Sequence, residues 1–535
     1  MNTIGLRIFR MVVMLMAFTS LLSRPCIAEE TGEAGFEIKA FEVTGNNLFT
    51  DDQVRAAVIL YTGTGRTSAD VEKARDSLEK RYHETGYPAV MVNIPEQTLQ
   101  DGVVKLQVIE SRIGRVKVTG NRYFTMDKVL SDLPSFTPGK ILYLPQVQQE
   151  IARLNRSQDF KVDPVMSPGK EVGTIDVELK VEDHLPLHGY LELNNRASPD
   201  TVPLRLNAAI HYDNLWQEEH SLSVQYQLAP QEPDQVQALS ASYALPAPWQ
   251  KDDQWALYGI WSNSNTAFGE GFQVIGKGHI FGTRYVVMLP EYRLYTHMLT
   301  LGLDYKHIIQ TTSTRDGSAA SPADEVPVNY APLSFSYSSS LPDERGGMNQ
   351  FSAGLNVNFR TSDSQEAKFE MSRYKAQANY IVITASAQRM QKLLWGMNLS
   401  VKADGQVSDQ PLISSEQYPA GGMESVRGYK ESEELGDSAL HGTLELFFPD
   451  PLMGNGAGSK VQVSPFLFYD FAALTIKDPL PGQDRSIRLS GTGAGLRGSM
   501  AKNLEYELDW AVALSESNRT EKYDQRYHWK IKAVF

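Results

Sequence analysis

The sequence predicts a chain of two parts: tandem α+β modules of β-α-α-β-β order, then an all-β region closing as a 16-stranded antiparallel transmembrane β-barrel. Three observations predict it. A motif near residue 41 recurs 75 positions later, helical periodicity gives way to apolar–polar alternation after Pro186, and the final nine residues alternate and end on Phe535. The composition bounds what such a chain can do. Its 535 residues exceed one ordinary domain, and 51 Lys+Arg against 64 Asp+Glu leave a formal charge of −13, which argues against nucleic acid as a partner. A single cysteine excludes a disulfide scaffold and a thiolate-rich metal site. A mean hydropathy of −0.33 excludes a bundle of membrane helices but not a barrel, whose strands hide their apolar half in alternation.

Residues 1–28 read as a secretory signal. Arg7 and Arg10 form a basic start, Met11 to Leu22 an apolar run of 12, and Ala28 offers a small residue for cleavage. Twelve residues are too few for a helical span, which needs about 20. Cleavage there removes Cys26 together with Arg7, Arg10 and Arg24, deepening the charge to −16. A short segment, 29–35, then precedes the first module at 36–110; the second occupies 111–183.

The repeat defines these modules. Phe41–Val54 aligns with Val116–Val129, with 8 of 14 positions identical. Each copy reads as a strand, a Gly-Asn turn and a helix. In the first copy Thr50 and Gln53 have the spacing of a capping box. A second helix follows from Ser68 to Thr85, with Val71, Ala74, Leu78 and Tyr82 on one face and Gly86 at its end. Ala89–Ile94 and Val103–Ile109 read as strands; helix Gln146–Leu154 and strand Thr174–Val181 repeat the order. This arrangement resembles the POTRA domain, a periplasmic polypeptide-binding module, twice over.

From 187 to 535, segments of about 8–11 alternating residues recur between polar turns. Leu204, Leu206, Ala208, Ile210 and Tyr212 alternate with Arg205, Asn207, Ala209 and His211. Trp395, Met397, Leu399 and Val401 oppose Asn398, Ser400 and Lys402; Leu508 and Trp510 oppose Glu507 and Asp509. A soluble sandwich could not bury Asp509, Glu507 and Lys402 without partners, whereas a barrel with lipid outside and water inside can. Sixteen such segments fit the region, at about 22 residues per strand and loop. The last strand alternates Tyr527, Trp529, Ile531, Ala533 and Phe535 with His528, Lys530, Lys532 and Val534. Its terminal Phe535 resembles the assembly signal of bacterial outer-membrane barrels.

A long loop, about 409–437, carries Ser415-Glu416-Gln417-Tyr418-Pro419-Ala420-Gly421-Gly422 and then Val426-Arg427-Gly428-Tyr429. This is similar to the Val-Arg-Gly-Tyr loop of the outer-membrane insertase and two-partner secretion superfamily. With the tandem modules and the lead-in it resembles the TpsB transporters, the haemolysin and adhesin exporters. The resemblance implies that the loop folds into the barrel and that Arg427 meets Asp470 as a loop–barrel lock. Phe468-Tyr469-Asp470-Phe471-Ala472 matches the family's Phe-x-Asp-x-Gly strand motif, with Ala472 in place of Gly. That methyl group bears on how closely the loop can approach. Parity places Leu467, Tyr469 and Phe471 toward lipid and Phe468, Asp470 and Ala472 toward the lumen. The plainer alternative leaves Arg427 and Asp470 as separate solvated charges. The family often threads an amino-terminal plug helix through the pore; the seven residues 29–35 span about 10 Å as helix, so none is expected here.

Other signals yield no chemistry. Gly493-Ala494-Gly495-Leu496-Arg497-Gly498 matches a dinucleotide-binding pattern by letter, but its flanks alternate as strands, and close packing or curvature explains the glycines. The ten His are scattered through the sequence, and no catalytic motif, metal site or cofactor is expected. The expected function, resting on the resemblance, is the outer-membrane pore of a two-partner secretion system in a Gram-negative bacterium. The POTRA modules would lie in the periplasm and capture an unfolded TpsA-like secreted partner by strand addition around Ala69–Ile94. Outer-membrane lipid, lipopolysaccharide and, during biogenesis, the barrel assembly machinery complete the expected partners. An insertase that folds other barrels is the alternative, and a passive porin a weaker one.

Overall fold

The computed structural model describes residues 35–265, 275–312, 324–452, 461–501 and 503–535. The expected signal segment and residues 29–34, on which the plug-helix expectation rests, lie outside them. The chain divides after His184 into two units.

In the first unit, β1 (Phe36–Ile38), β2 (Ala40–Thr44), α1 (Asp51–Val58), β3 (Gly63–Arg66), α2 (Ser68–Glu84), β4 (Val90–Asn93) and β5 (Val103–Glu110) form one module. The second is β6 (Arg112–Thr119), α3 (Met126–Asp132), α4 (Leu144–Leu154), β7 (Phe160–Pro168) and β8 (Thr174–Asp183). Their three-stranded sheets share one topology. The first strand pairs parallel to the last, which pairs antiparallel to the strand before it: β2-β5-β4 and β6-β8-β7. The apolar stripe of α2 seals the first sheet, with Ala74, Leu78 and Tyr82 fully buried; a buried Leu such as Leu78 contributes about 1.5–3 kcal/mol.

The repeated residues make the same turn twice. Gly45 and Gly120 have φ of 80° and 89°. A Cβ on either would lie 2.3 Å from the Val108 carbonyl oxygen or 2.2 Å from that of Val181. The next residue donates its amide to the backbone, Asn46 to Phe49 O at 2.8 Å and Asn121 to Phe124 O at 2.9 Å. Thr50 and Thr125 then cap α1 and α3. The last strand of each module supplies a carboxylate to the turn: Glu110 accepts from Asn47 and Leu48, Asp183 from Arg122, Tyr123 and Phe124. Gly120→Ala is therefore expected to cost its module about 1–3 kcal/mol through strain. Protease cleavage within 36–183 of the folded membrane protein should rise about tenfold where it tracks the open population; unchanged cleavage would show that the turn relaxes.

In the second unit the wall begins with β9 (Leu187–Asn194), β10 (Arg205–Leu215), β11 (His220–Leu228), β12 (Gln237–Ala247), β13 (Gln250–Asn265), β14 (Ile275–Met288) and β15 (Thr296–Thr312). It continues through β16 (Asp324–Tyr330), β17 (Leu333–Pro342), β18 (Met348–Asn358), α5 (Asp363–Ser372), β19 (Tyr380–Lys392) and β20 (Asn398–Ser408). Two short inner strands follow, β21 (Tyr418–Ala420) and β22 (Glu434–Gly436). The wall resumes with β23 (Ser438–Phe447), β24 (Val461–Thr475), β25 (Ser486–Met500), β26 (Leu504–Ala513) and β27 (Gln525–Val534). β27 pairs back to β9, closing an antiparallel barrel. β16 and β17 both pair with β15 and are one wall strand interrupted at Ala331-Pro332, so the barrel has the 16 strand positions expected. Among the described residues no helix is long and apolar enough to cross a membrane; the strands carry the apolar outer face, where Leu467, Tyr469, Leu508 and Trp510 are exposed.

Two sequence expectations need correction. Trp395 and Met397 lie before β20, in a turn where Trp395 adopts φ 59°, because the hairpin reverses at Leu394–Gly396. Helical structure also does not stop at Pro186. α5, capped by Ser362, lies between β18 and β19 and buries only Gln365 and Phe369, too few apolar positions to show a helical period.

Candidate functional site

The long loop between β20 and β23 turns into the barrel. β21 and β22 pair as its stem, and residues 421–433 form the tip. At the tip Arg427 is 2% exposed. Its guanidinium grips Asp470 on β24 bidentately: Nε donates to Oδ2 at 2.7 Å and Nη2 to Oδ1 at 2.9 Å, while the Arg427 backbone N–H donates to Oδ2 at 3.1 Å. Nη1 donates to Glu445 Oε1 on β23 at 2.9 Å. The guanidinium lies 3.6 Å from the Phe468 ring centroid, so the Phe of the strand motif is a cation–π platform beneath the ion pair. Ala472 is buried against the loop in a cluster with Val426 and Tyr429, and the contact to Asp470 forms with its methyl group in place.

The neighbouring residues seat the rest of the tip. Gly428 N–H donates to His528 Nε2 at 3.2 Å on β27, and its carbonyl accepts from Arg526 Nε at 3.3 Å. The Tyr429 hydroxyl donates to the Ser515 carbonyl at 2.6 Å. Gly491 on β25 lets the loop lie flat: a Cβ there would sit 2.0 Å from the Arg427 carbonyl oxygen. The glycines of the 493–498 run make room for wall groups instead, a Cβ at Gly493 falling 1.9 Å from the Trp510 carbonyl oxygen and one at Gly495 2.4 Å from the Phe466 ring, and they lie within a strand that runs through Ser486–Met500. Phe535 meets the first wall strand, exchanging two backbone hydrogen bonds of 2.9 Å with Gly189.

Several participants escape sequence reasoning because they come from different strands. Arg497 on β25 donates to Glu445 Oε1 at 2.8 Å and to Glu507 Oε1 at 2.6 Å, and Lys530 reaches Glu507 Oε2 at 3.0 Å. Asp470–Arg427–Glu445–Arg497–Glu507–Lys530 is thus one continuous charge chain across β23–β27. Asp509, fully buried, lies 3.5 Å from Arg427, and neither of its oxygens has a hydrogen-bond partner among the described residues. Arg196, just past β9, donates to Glu424 at 2.6 Å and Glu431 at 3.1 Å on the loop. With His528 on β27, it ties the loop to both sides of the closing seam. At the loop's base Arg373, following α5, pairs with buried Asp437. Glu416 accepts from Lys306 at 2.6 Å and Tyr330 at 2.6 Å. Only an Arg or Asp within a recognisable motif stands out in sequence; register alone brings the others together.

A closed barrel with an apolar outer face, occupied by its own loop and accompanied in the chain by tandem β-α-α-β-β modules, defines an outer-membrane β-barrel protein. The family model for the haemolysin secretion/activation protein ShlB/FhaC/HecB matches residues 173–498, and that for the ShlB-type POTRA domain matches 36–111. The chain belongs to the haemolysin secretion/activation family, the TpsB transporters of two-partner secretion. It is 24% identical over 437 residues to the outer membrane transporter CdiB of Dickeya dadantii, covering 78% of this chain and 74% of that protein. It is 20% identical over 525 residues to the heme/hemopexin transporter protein HuxB of Haemophilus influenzae, covering 96% and 89%. Its fold is similar to that of CdiB from Escherichia coli at a TM-score of 0.64 and 17% identity, covering 96% of this chain and 93% of that one. BamA from Haemophilus ducreyi lacking POTRA domains 1–3 is similar in fold at a TM-score of 0.56 and 14% identity, covering 94% and 100%. The chain is therefore the outer-membrane pore of a two-partner secretion system, with its POTRA region in the periplasm.

Proposed function

We propose that the first module captures an unfolded segment of the secreted partner on the outer edge of β4, and that the Arg427–Asp470 lock then gives way to let the chain pass. The observation that carries the first half is the state of that edge. β4 is the outermost strand of its sheet, with β5 on one side and α2 on the other. Two of its outward groups are held by side chains of α2, Val92 N–H donating to Glu79 Oε2 at 2.9 Å and the Val90 carbonyl lying 2.9 Å from His83 Nε2, while Val90 N–H donates to the Tyr87 carbonyl at 3.3 Å. An incoming strand offers the same bonds from backbone and displaces two flexible side chains. Met91 is exposed beside this edge.

The polar lumen carries the extended chain without burying unpaired backbone, and the partner's folding outside supplies direction. On this reading the chain is a conduit with no catalytic step. The outer apolar face meets lipid and lipopolysaccharide, and the strand ending at Phe535 is read by the barrel assembly machinery. Deleting the protein should abolish appearance of the partner encoded beside it in the medium; equal secretion without it would sink the pore role in that pairing. A photo-crosslinking residue at Met91 should trap that partner, whereas one at the exposed Val172 of the second module should not. Equal trapping at both positions, or none at Met91, would remove β4 as the capture edge.

A further inference from the structure

Beyond the translocation site, the first two wall strands bring His188 beside two side chains that lie 23 and 25 positions later in the sequence. We propose that His188, His211 and Asp213 form a binding site for one divalent first-row transition-metal ion, zinc being the best match, on the lumen side where the chain enters the barrel. His188 on β9 stands directly opposite His211 on β10 in the antiparallel register. Asp213 follows two residues on, so strand parity returns it to the same face as His211. All three share the parity of Glu192, Asn194 and Asn207, which line a polar cavity between wall and loop. One ligand atom from each of the three lies within 4.8 Å of the others.

The distances suit a tetrahedral ion. Zinc bonds of about 2.0–2.1 Å place adjacent ligand atoms about 3.3 Å apart. His211 Nε2 and Asp213 Oδ2 already stand 3.3 Å apart. The rings of His188 and His211 have centroids 5.0 Å apart and planes 32° apart, and a ligand atom of His188 lies within 4.8 Å of the other two. Asp213 is oriented from behind: its other oxygen, Oδ1, accepts from Ser221 Oγ on β11 at 2.6 Å. That outer hydrogen bond is of the kind that holds a ligating carboxylate in place. Two imidazoles and one carboxylate favour zinc, nickel or copper over calcium or magnesium, which take oxygen sets. His211 and Asp213 are 41% and 43% exposed, leaving the fourth position open to water. The ion would cross-link β9 to β10 one residue from Gly189, the residue that Phe535 closes against.

The test uses the full chain in detergent, stripped with a chelator and titrated with zinc against a chromophoric competitor. One equivalent should bind, and zinc should raise the temperature at which the folded band converts on electrophoresis, as binding to the folded state alone requires. His188→Gln and His211→Gln should each weaken binding at least tenfold and abolish the zinc-dependent shift, with folded-band mobility unchanged. A His279→Gln/His307→Gln variant, removing the stacked pair on β14 and β15, serves as the comparison and should bind as the parent does. Cobalt(II) absorption of the unsubstituted protein reads the same site independently of any variant, through the visible bands of a four- or five-coordinate ion. Zinc binding that survives loss of both His188 and His211, binding that follows His279 and His307, or no such cobalt bands would each overturn the proposal.

Discussion

Arg427→Ala should cut secretion of the partner at least tenfold while the barrel stays folded. Removing the guanidinium takes both side-chain bonds from Asp470, leaves Glu445 to Arg497, and strands Asp509 without its nearest cation, all three carboxylates being buried. Breaking a buried ion pair from one side costs about 3–5 kcal/mol, although the intact pair adds little net stability. The penalty falls on the docked position of the loop, because the wall ladders from β23 to β27 make no use of Arg427. Partner in the medium and the heat-modifiable mobility of the barrel would be read together. Full secretion would reduce Arg427 to a bystander. Arg427→Lys should rescue only in part, since a single ammonium cannot meet both oxygens of Asp470 and also Glu445.

Gly491→Val should give the same defect with every charge of the lock still present. A Cβ at Gly491 would stand 2.0 Å from the Arg427 carbonyl oxygen, a backbone atom that cannot swing aside as a side-chain end would. The loop must lift away, pulling the guanidinium out of its bidentate geometry. Here loss of secretion is expected to match Arg427→Ala, and combining the two should add little, because both act on one docked state. A variant that secretes normally would show that the loop tolerates a looser seat. Additive effects would point to a second role for β25.

How much of this was legible in the sequence depended on the distance over which each constraint acts. The modules were legible because their turn is local. Gly45, Asn46, Phe49 and Thr50 act within six residues and recur intact as Gly120, Asn121, Phe124 and Thr125. The barrel was legible because alternation is a property of each strand alone. Asp470 and Phe468 could be placed by parity, since Leu467 and Tyr469 mark the outer face. The carboxylates beside Arg427 could not. Glu445, Asp509 and the bridging Arg497 converge through the register of four strands, and no local pattern sets that register apart from others. α5 was missed for the opposite reason: it is stabilised by its Ser362 cap and by Phe369 packing on Tyr330, with no repeating apolar stripe. Trp395 was misplaced because a large aromatic before an alternating run reads as its first member, although a left-handed turn had already ended the strand.

The tip of the loop also sets the electrical character of the conduit. With the loop seated, Arg427 offsets Asp470 and Glu445 on the lumen face of the wall, while Arg497 and Lys530 answer Glu507. When the loop leaves, it takes Arg427 with it, and around the vacated seat the wall keeps Asp470, Glu445, Glu507 and Asp509 against Arg497, Lys530 and Arg526. The vacated passage is then a band of net negative charge, which raises the local concentration of cations and repels anions. Emptying of the pore should therefore register in planar bilayers as a rise in conductance that favours potassium over chloride. A cationic stretch of polypeptide would enter such a passage more readily than an acidic one.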